Sequence, residues 1–238
     1  MMKIGILLVG RASEDLVDEY GTYAEMLIAL INTEEQVFEF KTFNILDDEF
    51  PKDHLECDGW IVTGSPHGVY EEHSWIPTVS QLVNDIYKAN LPIFGVCFGH
   101  QLIAQALGGH VEKSKKGWGL GLHTYQVNNK PDYMSNLSEE VTLNICHQDQ
   151  VLRPPQGATV YAKSKFCENA GFYIKDKVLT MQAHPEFLVD FIKALLTARR
   201  DVTIPKEFVD PALVGLNNNS DSVESNQFAE TIRRFFLN

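Results

Sequence analysis

The sequence predicts a three-layer α/β fold, a mostly parallel sheet with helices on both faces. Three observations lead there. Short β-rich runs alternate with helical patterns in the first hundred or so residues, the mark of βαβ units around a parallel sheet. The 238 residues are 44% hydrophobic, enough for one sizeable core in one large domain. The apolar stretches are short and broken, and none approaches the roughly 18 residues needed to span a bilayer.

In chain order, residues 3–9 read as a first buried strand, too short for the apolar region of a signal peptide and with no small-residue cleavage site after it. Thr22-Tyr-Ala-Glu25 has the form of a capping box. It opens a helix whose Tyr23, Met26, Leu27, Leu30 and Ile31 share a face. Strands follow at 36–43, 59–63 and 92–97. Ser74 is placed to cap a second helix with Val79, Leu82, Val83 and Ile86 on one side. A third, over 100–107, stops at Gly108-Gly109, where glycine makes a left-handed cap easy. The second half differs: 111–127, 141–147, 159–164, 170–175 and 178–184 read as short strands joined by turns, an antiparallel addition or the far strands of a mixed sheet. A helix over 187–199 places Phe187, Leu188, Phe191, Ile192 and Leu195 together. Residues 217–222 form a polar linker, and 223–236 a last amphipathic helix that docks on the body. There is no internal repeat. The expectation is a single domain, with a catalytic core at about 3–200 and a helical extension at about 205–238.

Charge and composition narrow the function. A net charge of −12 argues against nucleic acid, since phosphate binding needs a basic face. The only basic run is Lys113, Lys115 and Lys116. Cys57, Cys97, Cys146 and Cys167 contain no CxxC pair, which argues against zinc or a redox dithiol and fits a reduced, cytoplasmic setting. No pair among His67, His100 and His147 has i, i+4 helical spacing with a carboxylate, so no metal and no cofactor is expected. Residues 115–121 are glycine-rich without the strand–helix context of a nucleotide fingerprint and read as a flexible loop beside the pocket. Trp75, Phe228, Phe235 and Phe236 read as core.

Two segments carry chemistry. Gly95-Val-Cys97-Phe-Gly99 is a G-x-C-x-G run between an apolar strand and a helix. The chain must turn sharply there, and the small residues on either side relieve crowding and lift the central side chain above the sheet. Its sulfur then faces the N-terminus of the following helix, where free N–H groups, beginning with that of Phe98, can hold a developing oxyanion. Ala183-His184-Pro185-Glu186 ends another apolar strand. In extended chain, residues two apart point the same way, and Pro185 stiffens that relation. Glu186 can therefore hold one nitrogen of His184 while the other takes the thiol proton. Both segments end at the carboxyl edge of the sheet, where α/β proteins place their sites.

Gly95-Val-Cys-Phe-Gly-His-Gln101 followed by Ala183-His-Pro-Glu186 resembles the class I (triad) glutamine amidotransferases, over about residues 3–200. The resemblance implies a flavodoxin-like sheet and a Cys97–His184–Glu186 triad, with Cys97 attacking a γ-glutamyl amide to form a thioester that water hydrolyses. It also implies that the 63–68 loop donates a backbone N–H to the oxyanion hole at Gly64 or Ser65, the latter at a position usually held by glycine. Gln101 and the segment His147-Gln148-Asp149 match the positions that hold the amino-acid end of the substrate. The chain carries no recognisable synthetase and no glycine-rich phosphate loop. It looks closest to a standalone branch that includes the plant γ-glutamyl peptidases, and it is also similar to the glutaminase domain of GMP synthase. The expected partner is a small molecule, glutamine or a γ-glutamyl compound. The alternatives are a subunit supplying ammonia to a separate synthetase, or a non-catalytic binding protein with this fold; an intact triad argues against the last.

Overall fold

The computed structural model describes residues 1–34, 36–218 and 223–238. Its strands are β1 (Met2–Leu8), β2 (Phe38–Asn44), β3 (Gly59–Val62), β4 (Ile93–Val96), β5 (His110–Lys113), β6 (Gly119–Val127), β7 (Glu140–His147), β8 (Asp149–Arg153), β9 (Thr159–Lys163), β10 (Gly171–Ile174) and β11 (Val178–Met181). The helices are α1 (Glu14–Tyr20), α2 (Tyr23–Ile31), α3 (Trp75–Lys88), α4 (Phe98–Ala106), α5 (Val189–Arg199), α6 (Lys206–Asn218) and α7 (Ser225–Leu237).

Nine strands form one sheet in the order β2-β1-β3-β4-β11-β10-β9-β6-β7. The first five are mutually parallel, and the remaining pairings are antiparallel. The parallel part has the flavodoxin-like order, with the fifth strand delivered late in the chain. β5 and β8 pair apart from it as a small antiparallel ribbon.

Strand alternation splits the core into two layers. Ile4, Ile6 and Leu8 face one side with α1, α2, α5, α6 and α7; Leu7 and Val9 face the other with α3 and α4. β3, β4 and β11 are buried throughout, as parallel strands covered on both faces must be. The capping box of α2 is complete: Thr22 Oγ1 accepts from Glu25 N–H, and Glu25 Oε2 accepts from Thr22 N–H at 2.7 Å.

Several boundaries differ from the sequence reading. The 111–127 run is two strands, broken by a turn in which Gly117 takes φ +79°. A separate strand, β8, begins two residues after His147, and the strand expected over 178–184 ends at Met181. Ser74 precedes α3 but makes no side-chain cap. α4 begins at Phe98, two residues earlier than the periodicity suggested. α1 and α6 are helices beyond those the periodicity predicts: α1 is seven residues with one buried side chain, Leu16, and α6 carries Pro211. Leu188, expected in the core, caps α5 and is 70% exposed. In the predicted linker, Asn217 and Asn218 belong to α6, and 219–222 lie outside the described residues. Among the described residues, no helix is long and apolar enough to cross a membrane.

Candidate active site

β3, β4 and β11 are adjacent and parallel, so the loops leaving their carboxyl ends meet on one edge. Those loops carry Gly64 and Ser65, Cys97, and His184 with Glu186.

Cys97 sits between β4 and α4 with φ +51° and ψ −103°. A side chain in that region stores roughly 1–3 kcal/mol, which the surroundings must hold. They do so by close packing. A Cβ on Gly99 would lie 2.2 Å from the Val62 carbonyl oxygen, and one on Gly95 would lie 2.6 Å from the Gly99 carbonyl carbon. Cys97 N–H donates to the Met181 carbonyl at 2.8 Å, tying the turn to β11. Phe98, as the first residue of α4, has an N–H with no acceptor inside the helix.

His184 Nδ1 lies 2.7 Å from Glu186 Oε1, with both side chains buried. The i, i+2 relation thus brings the two together although the strand has already ended. The loop is held from outside: His184 N–H donates to the Asn144 carbonyl at 2.8 Å, and Asn144 Nδ2 donates to the Phe187 carbonyl at 2.9 Å. The imidazole stacks face to face on Phe187 at 3.8 Å. Burial alone would keep this ring neutral, but the charges of the Cys97 sulfur and the Glu186 carboxylate outweigh it and push the pKa up to about 10.

Gly64 presses against this pair: a Cβ there would lie 2.9 Å from His184 Cε1 and 3.8 Å from Cys97 Cβ. Neither Gly64 nor Ser65 has a positive φ. A serine therefore fits at 65 without backbone strain, and only position 64 demands glycine.

A cavity of about 250 Å³ opens over Cys97, lined among others by Ser65, Gln101, His147, Gln148, Asp149 and Arg199. Gln101 Nε2 donates to the Asp149 carbonyl at 3.0 Å and to Gln182 Oε1 at 3.1 Å. Gln182 Nε2 in turn lies 3.5 Å from the Cys97 sulfur. His147 Nδ1 donates to the same Asp149 carbonyl at 3.0 Å, and burial pushes its pKa down to about 3, leaving a neutral ring. Burial also raises the Asp149 carboxyl, which accepts from the Tyr70 hydroxyl at 2.9 Å. Of the residues expected from sequence, Ser65, Cys97, Gln101, His147, Gln148 and Asp149 line this cavity; Gly64 lies between His184 and Cys97, Phe98 follows Cys97 in the chain, and Glu186 is joined to the group through His184.

Four participants were missed. Gln182, Tyr70 and Arg199 sit in segments with no motif of their own. The fourth is a cluster: His67 Nδ1 and His73 Nε2 each lie 3.0 Å from Glu71 Oε2, and the ligand atoms of the three are within 4.8 Å of one another. Two histidines and a carboxylate are donors of the kind zinc accepts. Glu71 stands four residues after His67, but the three belong to the loop between β3 and α3 and not to a helix; His67 and Glu71 line the cavity. They also satisfy one another as an ordinary ion-pair cluster.

The family model Glutamine amidotransferase class-I matches residues 15–193. Gamma-glutamyl peptidase 4 of Arabidopsis thaliana is 34% identical over 194 residues, covering 79% of this chain and 76% of that protein. The GMP synthase [glutamine-hydrolyzing] of Finegoldia magna is 34% identical over 129 residues, 54% of this chain but 24% of that protein. In fold, the chain is similar to a crystal structure of a glutamine amidotransferase from Thermotoga maritima, with a TM-score of 0.80 and 20% identity over 100% of this chain and 99% of that one.

Proposed function

Because the chain belongs to the glutamine amidotransferase class-I family, we propose that it is a cysteine hydrolase cleaving the γ-glutamyl amide of a small molecule through a thioester. The observation that carries this is the buried His184–Glu186 pair beside a cysteine at a strained strand–helix turn. A binding role has no need of such an arrangement.

In the proposed reaction Cys97 yields its thiol proton to His184 while its sulfur attacks the γ-carbonyl carbon, and the C=O electron pair moves onto oxygen. The N–H groups of Phe98 and of the Gly64–Ser65 loop hold that oxyanion. As the tetrahedral species collapses, the C–N bond breaks and His184 gives its proton to the departing amine. Water then loses a proton to His184 and attacks the thioester, releasing glutamate and restoring the thiol. Glu186 holds Nδ1 throughout, so that the other nitrogen always faces the reacting atoms. Gln101 and the 147–149 segment hold the amino-acid end: a zwitterion needs fixed donors and acceptors, and this hydrogen-bonded group supplies them already ordered. The peptidase relatives support a γ-glutamyl peptide as substrate.

The test is hydrolysis of glutamine, glutathione, a glutathione S-conjugate and a chromogenic γ-glutamyl anilide, with Cys97→Ala alongside. Cleavage of the glutathione-type compounds above glutamine, lost in the variant, is the expected result. Full activity in Cys97→Ala would remove the mechanism. A second reading, a subunit passing ammonia to a separate synthetase, draws on the similarity to about a quarter of a GMP synthase. It predicts instead a low glutaminase rate that rises when a synthetase is added.

A further inference from the structure

Arg199 ends α5, in a position none of the chemical motifs foretold. Its guanidinium is largely withdrawn from solvent yet opens onto the cavity above Cys97. The hydrogen bond its side chain makes is from Nη1 to the Cys146 sulfur at 3.6 Å, a weak acceptor. Other arginines are provided for. Arg11, Arg200, Arg233 and Arg234 each pair with a carboxylate, and Arg153 is exposed. Among the described arginines, Arg199 alone combines partial burial with the absence of a carboxylate partner. Its neighbour Arg200 takes both Asp201 and Asp210. A guanidinium cannot shed its proton to escape this setting. Removing a charge from water without a partner is costly, so the site is complete only when something anionic enters it. A planar fork of donors matches a carboxylate in particular.

The location narrows which carboxylate. Gln101 and His147 are bonded to Asp149, whereas the Arg199 guanidinium is bonded to Cys146. Arg199 instead shares its surroundings with the opposite partners. On β7, Cys146 shares a face with Asn144, two residues before it, while His147 points to the other; Asn144 holds the His184 N–H and the Phe187 carbonyl, and Phe187 stacks on His184. That is the flank of Cys97 on which the acid stands, and the leaving amine must depart past the acid.

We infer that Arg199 forms a subsite for a carboxylate carried by the leaving amine, so that the substrate is a γ-glutamyl amino acid or peptide with a free C-terminal carboxylate. This rests on the hydrolase reading above and deepens it. Glutamine, which releases only ammonia, leaves the subsite empty.

The experiment compares three substrates, namely glutathione, glutathione with its glycine carboxylate converted to an amide, and glutamine. They are used with the wild-type chain, Arg199→Gln and Arg199→Lys. The wild type is expected to favour the free acid over the amide by about 10–100-fold in kcat/KM, the range a charged hydrogen-bonded pair supplies. Arg199→Gln should remove that preference, mainly through KM, with kcat/KM falling by much the larger factor on the free acid, so that acid and amide become equal. Arg199→Lys should recover part of it, because charge survives without the fork. Equal wild-type rates on acid and amide would overturn the subsite without recourse to any variant. So would an equal loss on all three substrates in Arg199→Gln, which would mean that Arg199 holds the common glutamyl part or the fold. If the wild type cleaves none of the three, the hydrolase reading itself fails and the subsite goes with it.

Discussion

His184 is pulled in two directions. Burial favours the neutral ring, and the neighbouring Cys97 and Glu186 charges reverse that, carrying its pKa from 6.5 to about 10. Because the folded value lies above the unfolded one, protonation favours the fold. That contribution is complete below pH 6.5 and is lost as pH rises toward 10. Glu186→Gln removes one of the two supporting charges. It should cut kcat by about 10²–10⁴-fold and move the alkaline limb of the kcat profile to lower pH. An unchanged profile would show that Glu186 does not govern the ring. His100 and His147 show the opposite sign, both pushed down to about 3, chiefly by burial. Each resists protonation when folded, so stability should fall as pH drops from 6.5 toward 3. His100 donates or accepts at Thr180 Oγ1, 2.9 Å away, inside the sheet. His100→Gln should therefore flatten the fall in Tm between pH 6.5 and 4, measured against its own value at pH 7. An acid limb as steep as that of the wild type would exclude this histidine as a source.

At the scale of elements, the site depends on how closely three loops approach one another. Gly64→Ala would set a Cβ 2.9 Å from His184 Cε1, whereas Gly99→Ala would set one 2.2 Å from the Val62 carbonyl oxygen. The two contacts have different consequences. The first meets a side chain whose placement matters for chemistry, so kcat should fall with Tm nearly kept. The second meets backbone between β3 and α4. Overpacking of that kind costs about 1–3 kcal/mol, and each kcal/mol lowers Tm by roughly 2–4 °C in a chain of this size. Melting curves and kinetics on the two variants would separate these outcomes, and equal effects on both quantities would refute the distinction. Legibility varied between elements for a related reason. The capping box of α2 and the G-x-C-x-G turn are local, and both could be read. α1 is short, with only Leu16 fully buried, and β8 follows β7 after a single residue, so neither offers a full period of pattern.

For the molecule as a whole, α7 closes one face of the sheet with residues far from it in sequence. Phe228 meets Phe94 at 6.3 Å, Phe235 meets Tyr133 at 5.5 Å, and Phe236 meets Phe38 at 6.2 Å. Phe94 lies in β4, the strand that delivers Cys97. Phe228→Ala should cost about 3–5 kcal/mol, the usual range for emptying a buried aromatic site. A denaturant midpoint would read this, and kcat per folded molecule should be largely retained. A loss under about 1 kcal/mol would mean that α7 is only loosely applied to the body.

The sequence by itself determined the alternating α/β plan, the elbow around Cys97 and the pairing of His184 with Glu186. Each depends on residues a few positions apart, whose relation is dictated by strand period, proline and the need for small neighbours at a tight turn. Only the tertiary structure decided which distant side chains share the cavity. Gln182 reaches Cys97 across 85 residues, Tyr70 reaches Asp149 across 79, and Arg199 reaches Cys146 across 53. No local rule sets those meetings. They follow from the sheet order, which places β11 beside β4 and turns the ends of β3, β4 and β11 toward one edge.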